Sequence, residues 1–436
     1  MNMAGAHPVR LLVILMLINF VNYLDRQIIF PLFPLIGQEF SLTYYQLGWL
    51  AAGFSIVHAL ATLPLGLLAD RTSRRKVIGF GVFFWSAATF MSGLAGSFRS
   101  LLVTRAAVGL GEAAYTPAAT AMITASFRGS VRARVQGIYD LGMFAGGALG
   151  IALGGILAES VGWRPAFFIV GIPGLLLALS VFHLPEPPRL EQARALPVRS
   201  LLRVPAYVML LLAGLFITFS GHAYIIWGAA FVHEYKGFGL REAGVTLGAI
   251  MLVSGLLGVM AGASLADRLA RRFPYGRVLT VCAGFFISAP LIYMALHTEN
   301  KATLLLLFFC GTFFGTWYHG PVTATIHDVI PARAHATAVG LYCLFVNLLA
   351  TTLAPTLIGK IADRWGLLTG MEVALAAQVM GAAGFVAVAC LIARQHRRET
   401  SQHEAVPAAS RCAGLADFAH LEPIAGTGQP LLRPES

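Results

Sequence analysis

Apolar residues along this chain do not alternate with polar ones. They come in long runs, broken at near-regular intervals by short clusters of charge, glycine and proline. Each run reaches about 20 residues, enough for a helix to cross some 30 Å of hydrocarbon. The pattern predicts twelve helices, near 11–36, 44–69, 77–97, 101–126, 133–158, 163–184, 205–234, 240–266, 277–297, 302–326, 336–362 and 370–394. Helices pair their backbone groups internally, and a barrel would need alternating polarity, so an all-α membrane protein is expected. Composition agrees: 12% of residues are charged, against roughly 25% in soluble domains.

A net charge of +11 suggests nucleic acid until its placement is considered. Twenty-two of the 31 Lys and Arg lie in the N-terminal segment, every second loop and the C-terminal segment. The positive-inside rule then predicts cytoplasmic termini, and an integral protein of a bacterial inner (plasma) membrane, with no role for nucleic acid. The first run is too long for a cleaved signal peptide and carries Asp25, so it reads as a signal anchor. The five cysteines show neither a disulfide framework nor metal-ligand spacing, and no cofactor or metal is expected.

Two pairs of charges interrupt the apolar runs: Asp25 and Arg26 in the first, Arg105 and Glu112 in the fourth. Such charges are costly in lipid and mark an ion or substrate pathway. Arg105 and Glu112 are two turns apart on one helix face, about 10 Å along the axis, so they can line one cavity. Asp25 lies roughly 22 Å from the start of its helix, which places it toward the outer half. Pairs such as Asp25 with Arg105 and Arg26 with Glu112 would compensate the buried charge, and the sequence leaves open which form. Burial raises a carboxylate's pKa and a nearby Arg lowers it, so helix movement can load and release a proton. Glu112 is the first candidate for that role and Asp25 the second, with a static ionic clasp as the alternative. Freed arginines could hold an anionic head group.

The two halves of the chain repeat each other. GLLADRTSRRK at 66–76 is answered by GASLADRLARR at 262–272, YTP at 115–117 by HGP at 319–321, VQGIY at 135–139 by AVGLY at 338–342, and GGILAESVGW at 154–163 by IGKIADRWG at 358–366. Offsets near 200 residues imply two six-helix lobes in parallel orientation. The lobes are placed at 1–184 and 205–395, with a cytoplasmic linker at 185–204 and a disordered tail at 396–436. Glycines crowd the fifth and eighth predicted helices and suggest close, sliding contact between the lobes.

With these motifs the chain resembles the major facilitator superfamily over residues 10 to 395. Gly66, Asp70, Arg71, Arg74, Arg75 and Lys76 are similar to that family's loop between helices two and three, with Ser73 where a glycine is usual. The resemblance implies a cytoplasmic gate of Asp70, Arg71, Arg74 and Arg75 with Arg134, mirrored by Asp267 and Arg268. NYLDR at 22–26 with RAAVGLGEAAYTP at 105–117 most resembles the Spinster-like transporters, whose members move lysophospholipids and phosphorylated sphingoid bases, often with protons. NYLDR alone also resembles anion–cation symporters for sugar acids.

These readings converge on a monomeric proton-coupled transporter of an amphipathic organic anion, working by alternating access. A symporter of small organic acids is the alternative, and a non-transporting sensor a further one. An enzyme would need a nucleophile with its base, or a metal cluster, and the runs contain neither. The substrate site is expected at Arg26, Arg105, Asn22 and Tyr115 on one wall and His222, His319, Tyr224 and Trp227 on the other, with Trp317 and Tyr318 adding aromatic surface.

Overall fold

The computed structural model describes residues 6–127, 129–186, 198–331 and 334–405. The N-terminal lobe comprises α1 (Ala6–Ile28), α2 (Phe33–Phe40), α3 (Tyr44–Arg71), α4 (Arg74–Ser92), α5 (Phe98–Ala113), α6 (Tyr115–Ser126), α7 (Gly129–Ser160) and α8 (Trp163–Val181). A short α9 (Val198–Leu201) precedes the second lobe, formed by α10 (Pro205–Lys236), α11 (Leu240–Ala270), α12 (Gly276–His297), α13 (Lys301–Gly315), α14 (His319–Val329), α15 (His335–Trp365) and α16 (Leu367–Ala405). Among the described residues, ten segments are long and apolar enough to span a membrane. Of the remaining two expected passes, one is made more polar by the cationic start of α4, and the other is divided at Ala114 into the shorter α5 and α6.

Local chemistry sets the boundaries. Thr43 and Gln46 form a capping box at the start of α3, and Asn300 caps α13. Ser73 caps α4 by accepting from the Lys76 amide at φ −77°, so the usual glycine is not needed here. Pro31 and Pro34 end α1 and insert a 3-10 turn at Phe30–Leu32 before α2. The first pass therefore runs Pro8–Phe40, longer than the 11–36 predicted, and Asp25 falls near its middle rather than in its outer half. The fourth and tenth passes break at repeat-equivalent places, Ala114 and Thr316–Tyr318. Pro117 and Pro321 sit in the first turn of the helix that follows, where no amide hydrogen is required.

Of the linker expected at 185–204, residues 187–197 lie outside the described residues. The tail expected from 396 begins as helix, since α16 continues to Ala405, and 406–436 lie outside the described residues.

The start of α1 and the end of α16 share one side of the bundle, the terminal face; the opposite side is the far face. One apolar core fills each lobe, around Trp85 and Tyr115 in the first and Tyr207 and Phe385 in the second. A third core, with Phe33, Leu50, Trp227, Phe231 and Ile358, is shared between the lobes at the far face. There Gly155 meets Gly244, and a Cβ on Gly155 would lie 2.4 Å from the Leu240 carbonyl oxygen. Hydrogen bonds between the lobes, among the described residues, also lie at this face: Tyr44 and Tyr45 amides to Asp363 at 2.7 and 3.1 Å, the Arg241 amide to Glu159 at 3.0 Å, and the Tyr44 hydroxyl to Glu234. Toward the terminal face, a Cβ on Gly137 or Gly340 would meet nothing within 4 Å. The far face is closed and the cleft opens toward the terminal face.

Most of the crowded glycines serve the lobes rather than the seam. A Cβ on Gly142, Gly146, Gly150 or Gly154 of α7 would lie 2.1–2.6 Å from α1 carbonyl oxygens, within one lobe. Gly258 and Gly262 of α11 likewise press on Phe313 and Trp317. The sliding surface expected from sequence therefore shrinks to Gly147, Gly155, Gly244, Gly248 and Gly255, which face the opposite lobe.

Candidate functional site

Helices α1 and α5 carry the charges, and both possible cross-pairs form. Asp25 Oδ1 lies 3.3 Å from Arg105 Nη1, with both side chains 2% exposed. The other Asp25 oxygen accepts from the Thr89 hydroxyl of α4. Arg26 Nη2 lies 2.7 Å from Glu112 Oε2, with Nε at 3.3 Å from the same oxygen. Phe54 of α3 packs between the guanidinia, 4.9 Å from Arg26 and 5.6 Å from Arg105, and Tyr23 lies 4.9 Å from Arg26. These rings supply cation–π attraction in place of water.

The pairs differ in what remains open. Asp25–Arg105 is enclosed, and Thr89 satisfies the second carboxylate oxygen. Glu112 is fully buried with no hydrogen bond to Oε1, while its partner Arg26 is 24% exposed. The His222 ring is bound to the Thr218 carbonyl at 3.0 Å, and His319 stacks on Tyr318 and meets Phe144 edge-on.

Beyond His319 opens a cavity of about 200 Å³ within the second lobe, closed on one side by Phe144 and Ile151 of α7. Tyr224, Tyr318, Thr316 and His319 line it, as expected for an aromatic wall. Trp227 does not: it is fully buried at the far face against Phe33 and Tyr44, because α10 turns it away from the cleft. Trp317 packs instead on Gly262 and Gly284. Tyr115 also leaves the site, buried in the first lobe's core with its hydroxyl donating to the Leu15 carbonyl and its ring against Trp85. Asn22 is buried beside the charged residues in sequence, with its amide nitrogen unpartnered.

At the terminal face, Arg74 pairs with Asp70 at 3.2 Å, Arg75 donates to the Leu184 carbonyl at 3.0 Å, and Glu186 accepts from the Arg74 amide at 2.7 Å. Arg71, Arg134, Asp267 and Arg268 are exposed.

Sequence reasoning missed Thr89, Phe54 and the polar trio Ser220, Ser288 and Gln378 in the cavity wall. Gln378 was findable by the rule that singled out the charges, as an isolated amide in a long apolar run.

Comparison with known proteins agrees with this architecture. A profile described as Major Facilitator Superfamily matches residues 15–355. An MFS-type efflux pump of Mycolicibacterium smegmatis is 28% identical over 386 residues, covering 87% of this chain and 88% of its own. Protein spinster homolog 1 of Xenopus laevis is 27% identical over 383 residues, covering 81% and 73%. A probable L-galactonate transporter of Escherichia coli is 28% identical over 370 residues, covering 79% and 80%. The crystal structure of a bacterial homolog of the human lysosomal transporter Spinster, inward-facing and occupied, superimposes with a TM-score of 0.81 at 26% identity, covering 89% of this chain and 98% of that one.

Proposed function

Because this chain belongs to the Major Facilitator Superfamily, we propose that it is a proton-coupled secondary transporter that moves an anionic, amphipathic organic molecule by alternating access. It is an integral membrane transporter with Spinster-type relatives, not an enzyme. The observation that carries the finer reading is the asymmetry of the Arg26–Glu112 pair: one oxygen of a fully buried carboxylate is bare, and the arginine it holds is partly exposed.

A proton arriving at Glu112 Oε1 removes the carboxylate charge and releases Arg26 from its strongest partner. Arg26 then receives a carboxylate or phosphate by bidentate hydrogen bonds. While Glu112 is ionised it occupies Arg26 itself and competes with the anion. Proton and anion therefore favour each other's binding, and by linkage they travel together. Asp25, with both carboxylate oxygens partnered, holds α1 against α5 through Arg105 and fixes Arg26. The apolar cavity beyond His319 takes the body of the molecule, as an amphipathic lysolipid-like substrate requires. The basic residues around the terminal face support a cytoplasmic position for it by the positive-inside rule, with the closed far face outward. We place the protein in a bacterial inner membrane, acting as a monomer.

The test is uptake by purified protein in liposomes under an imposed pH gradient, with labelled lysophospholipids and labelled small organic carboxylates. Accumulation of a lysophospholipid, abolished in Glu112→Gln, is expected; wild-type pH dependence in that variant overturns the coupling. Accumulation of carboxylates alone favours the second reading, a symporter of small organic acids, which the L-galactonate relative and the modest cavity volume recommend.

A further inference from the structure

Three polar side chains from three helices meet in the wall of the second-lobe cavity: Ser220 of α10, Ser288 of α12 and Gln378 of α16. None is more than 5% exposed. Gln378 donates to Ser288 at 3.0 Å and accepts from Ser220 at a long 3.5 Å, and the Ser288 hydroxyl donates to the Gly311 carbonyl at 2.7 Å. A glutamine amide has two donors and two lone pairs. One of its N–H groups and one of its two lone pairs are left over. Tyr224, one turn along α10 from Ser220, lines the same cavity, and its buried hydroxyl has no protein partner of acceptable geometry.

The first lobe shows that an amide is not required to close these helices. At the repeat-equivalent place α4 and α8 meet through Ser86 and Gly174, where a Cβ on the glycine would lie 2.1 Å from the serine oxygen. Serine against glycine suffices for packing there. Gln378 replaces that glycine in the second lobe, where a cavity takes up the space.

We propose that this cluster is the distal end of the substrate site, and that it takes a hydroxyl or carbonyl group carried at the end of the substrate's apolar body, opposite the anionic group. Among the amphipathic anions it admits, the site thus prefers one polar at both ends over one with a plain alkyl tail. A plain alkyl tail leaves the Gln378 and Tyr224 groups unpaired, and a site built to hydrogen-bond discriminates strongly against an analogue lacking the bond. The inference rests on the anion-transporter reading for the position of the other end.

Binding of two probes to the purified full-length chain tests it: decyl phosphate and ω-hydroxydecyl phosphate, measured by calorimetry. The wild type is expected to prefer the hydroxylated probe by about tenfold or more. That preference disappears in Gln378→Leu. It also falls in Tyr224→Phe, an isosteric change that keeps the fold if the first variant loses it. Equal binding of both probes, weakened alike by Arg26→Ala, overturns the distal site and keeps the anion site. A hydroxyl preference that survives without any dependence on Arg26 keeps the distal site and overturns the anion reading. Binding of neither probe overturns both.

Discussion

Asp25 and Arg26 are neighbours in sequence and make the same kind of ion pair with the same helix, yet their surroundings assign them different work. Removing one partner of a fully buried pair costs about 3–5 kcal/mol, because the other charge is left uncompensated. Asp25→Asn is therefore expected to lower the thermal midpoint of the detergent-solubilised protein sharply. An unchanged midpoint would show that the clasp contributes nothing. Glu112→Gln keeps a hydrogen-bond acceptor for the partly exposed Arg26. It should unfold near the wild-type temperature while gradient-driven accumulation drops at least ~10-fold, with downhill exchange retained. The four charges were legible in the sequence because lipid makes any such residue conspicuous. Their division of labour was not, since it depends on Thr89 reaching one carboxylate and no group reaching the other. Tyr115 misled for the converse reason: motif proximity to Glu112 says nothing about which side of the helix a ring occupies, and this one faces the core.

Helix pairs at close approach are where side-chain volume decides the outcome. On α7, Gly146 lies against the Phe20 carbonyl, where a Cβ would sit at 2.1 Å, whereas Gly137 has open space around it. Gly146→Ala should destabilise the first lobe, while Gly137→Ala should be neutral or stabilising by about 0.5–1 kcal/mol through lost chain entropy. Thermal unfolding of the two variants side by side checks the contrast, and equal effects would contradict the assigned packing. Element existence was plain from hydrophobic runs, and twelve passes emerge close to the predicted places. What composition could not supply were the breaks, such as the 3-10 turn after α1 that lengthens the first pass and recentres Asp25. Nor could a count of glycines say which neighbour each one admits: four on α7 admit α1, and only Gly147 and Gly155 admit the other lobe.

Across the whole molecule, two of the carboxylates that hold the far face each cross from one lobe to a helix start in the other. Asp363, near the end of α15, accepts from the amides of Tyr44 and Tyr45, while Glu159, near the end of α7, accepts from that of Arg241. A helix N-terminus attracts negative charge, so both contacts combine a charge-assisted hydrogen bond with the helix dipole. Neutralising both, in Asp363→Asn with Glu159→Gln, should weaken closure and raise the population open at the far face. Distance measurements between spin labels, one on each lobe at that face, would record a longer component; an unchanged distribution would place the closing energy in the shared apolar core instead. The repeat put these residues at matching positions, as it did Gly162 and Gly366, whose φ values of +83° and +85° make the turn after each of the two helices. Sequence comparison of the halves revealed the match without revealing that each carboxylate reaches across the seam. That crossing bears on ancestry. A six-helix forerunner paired with a second copy of itself by a twofold axis would form this contact twice from one acidic residue and one helix start, as any isologous interface does. Fusing two such chains would then have created no new closure, only the freedom for one copy to acquire the buried charges and the other the cavity.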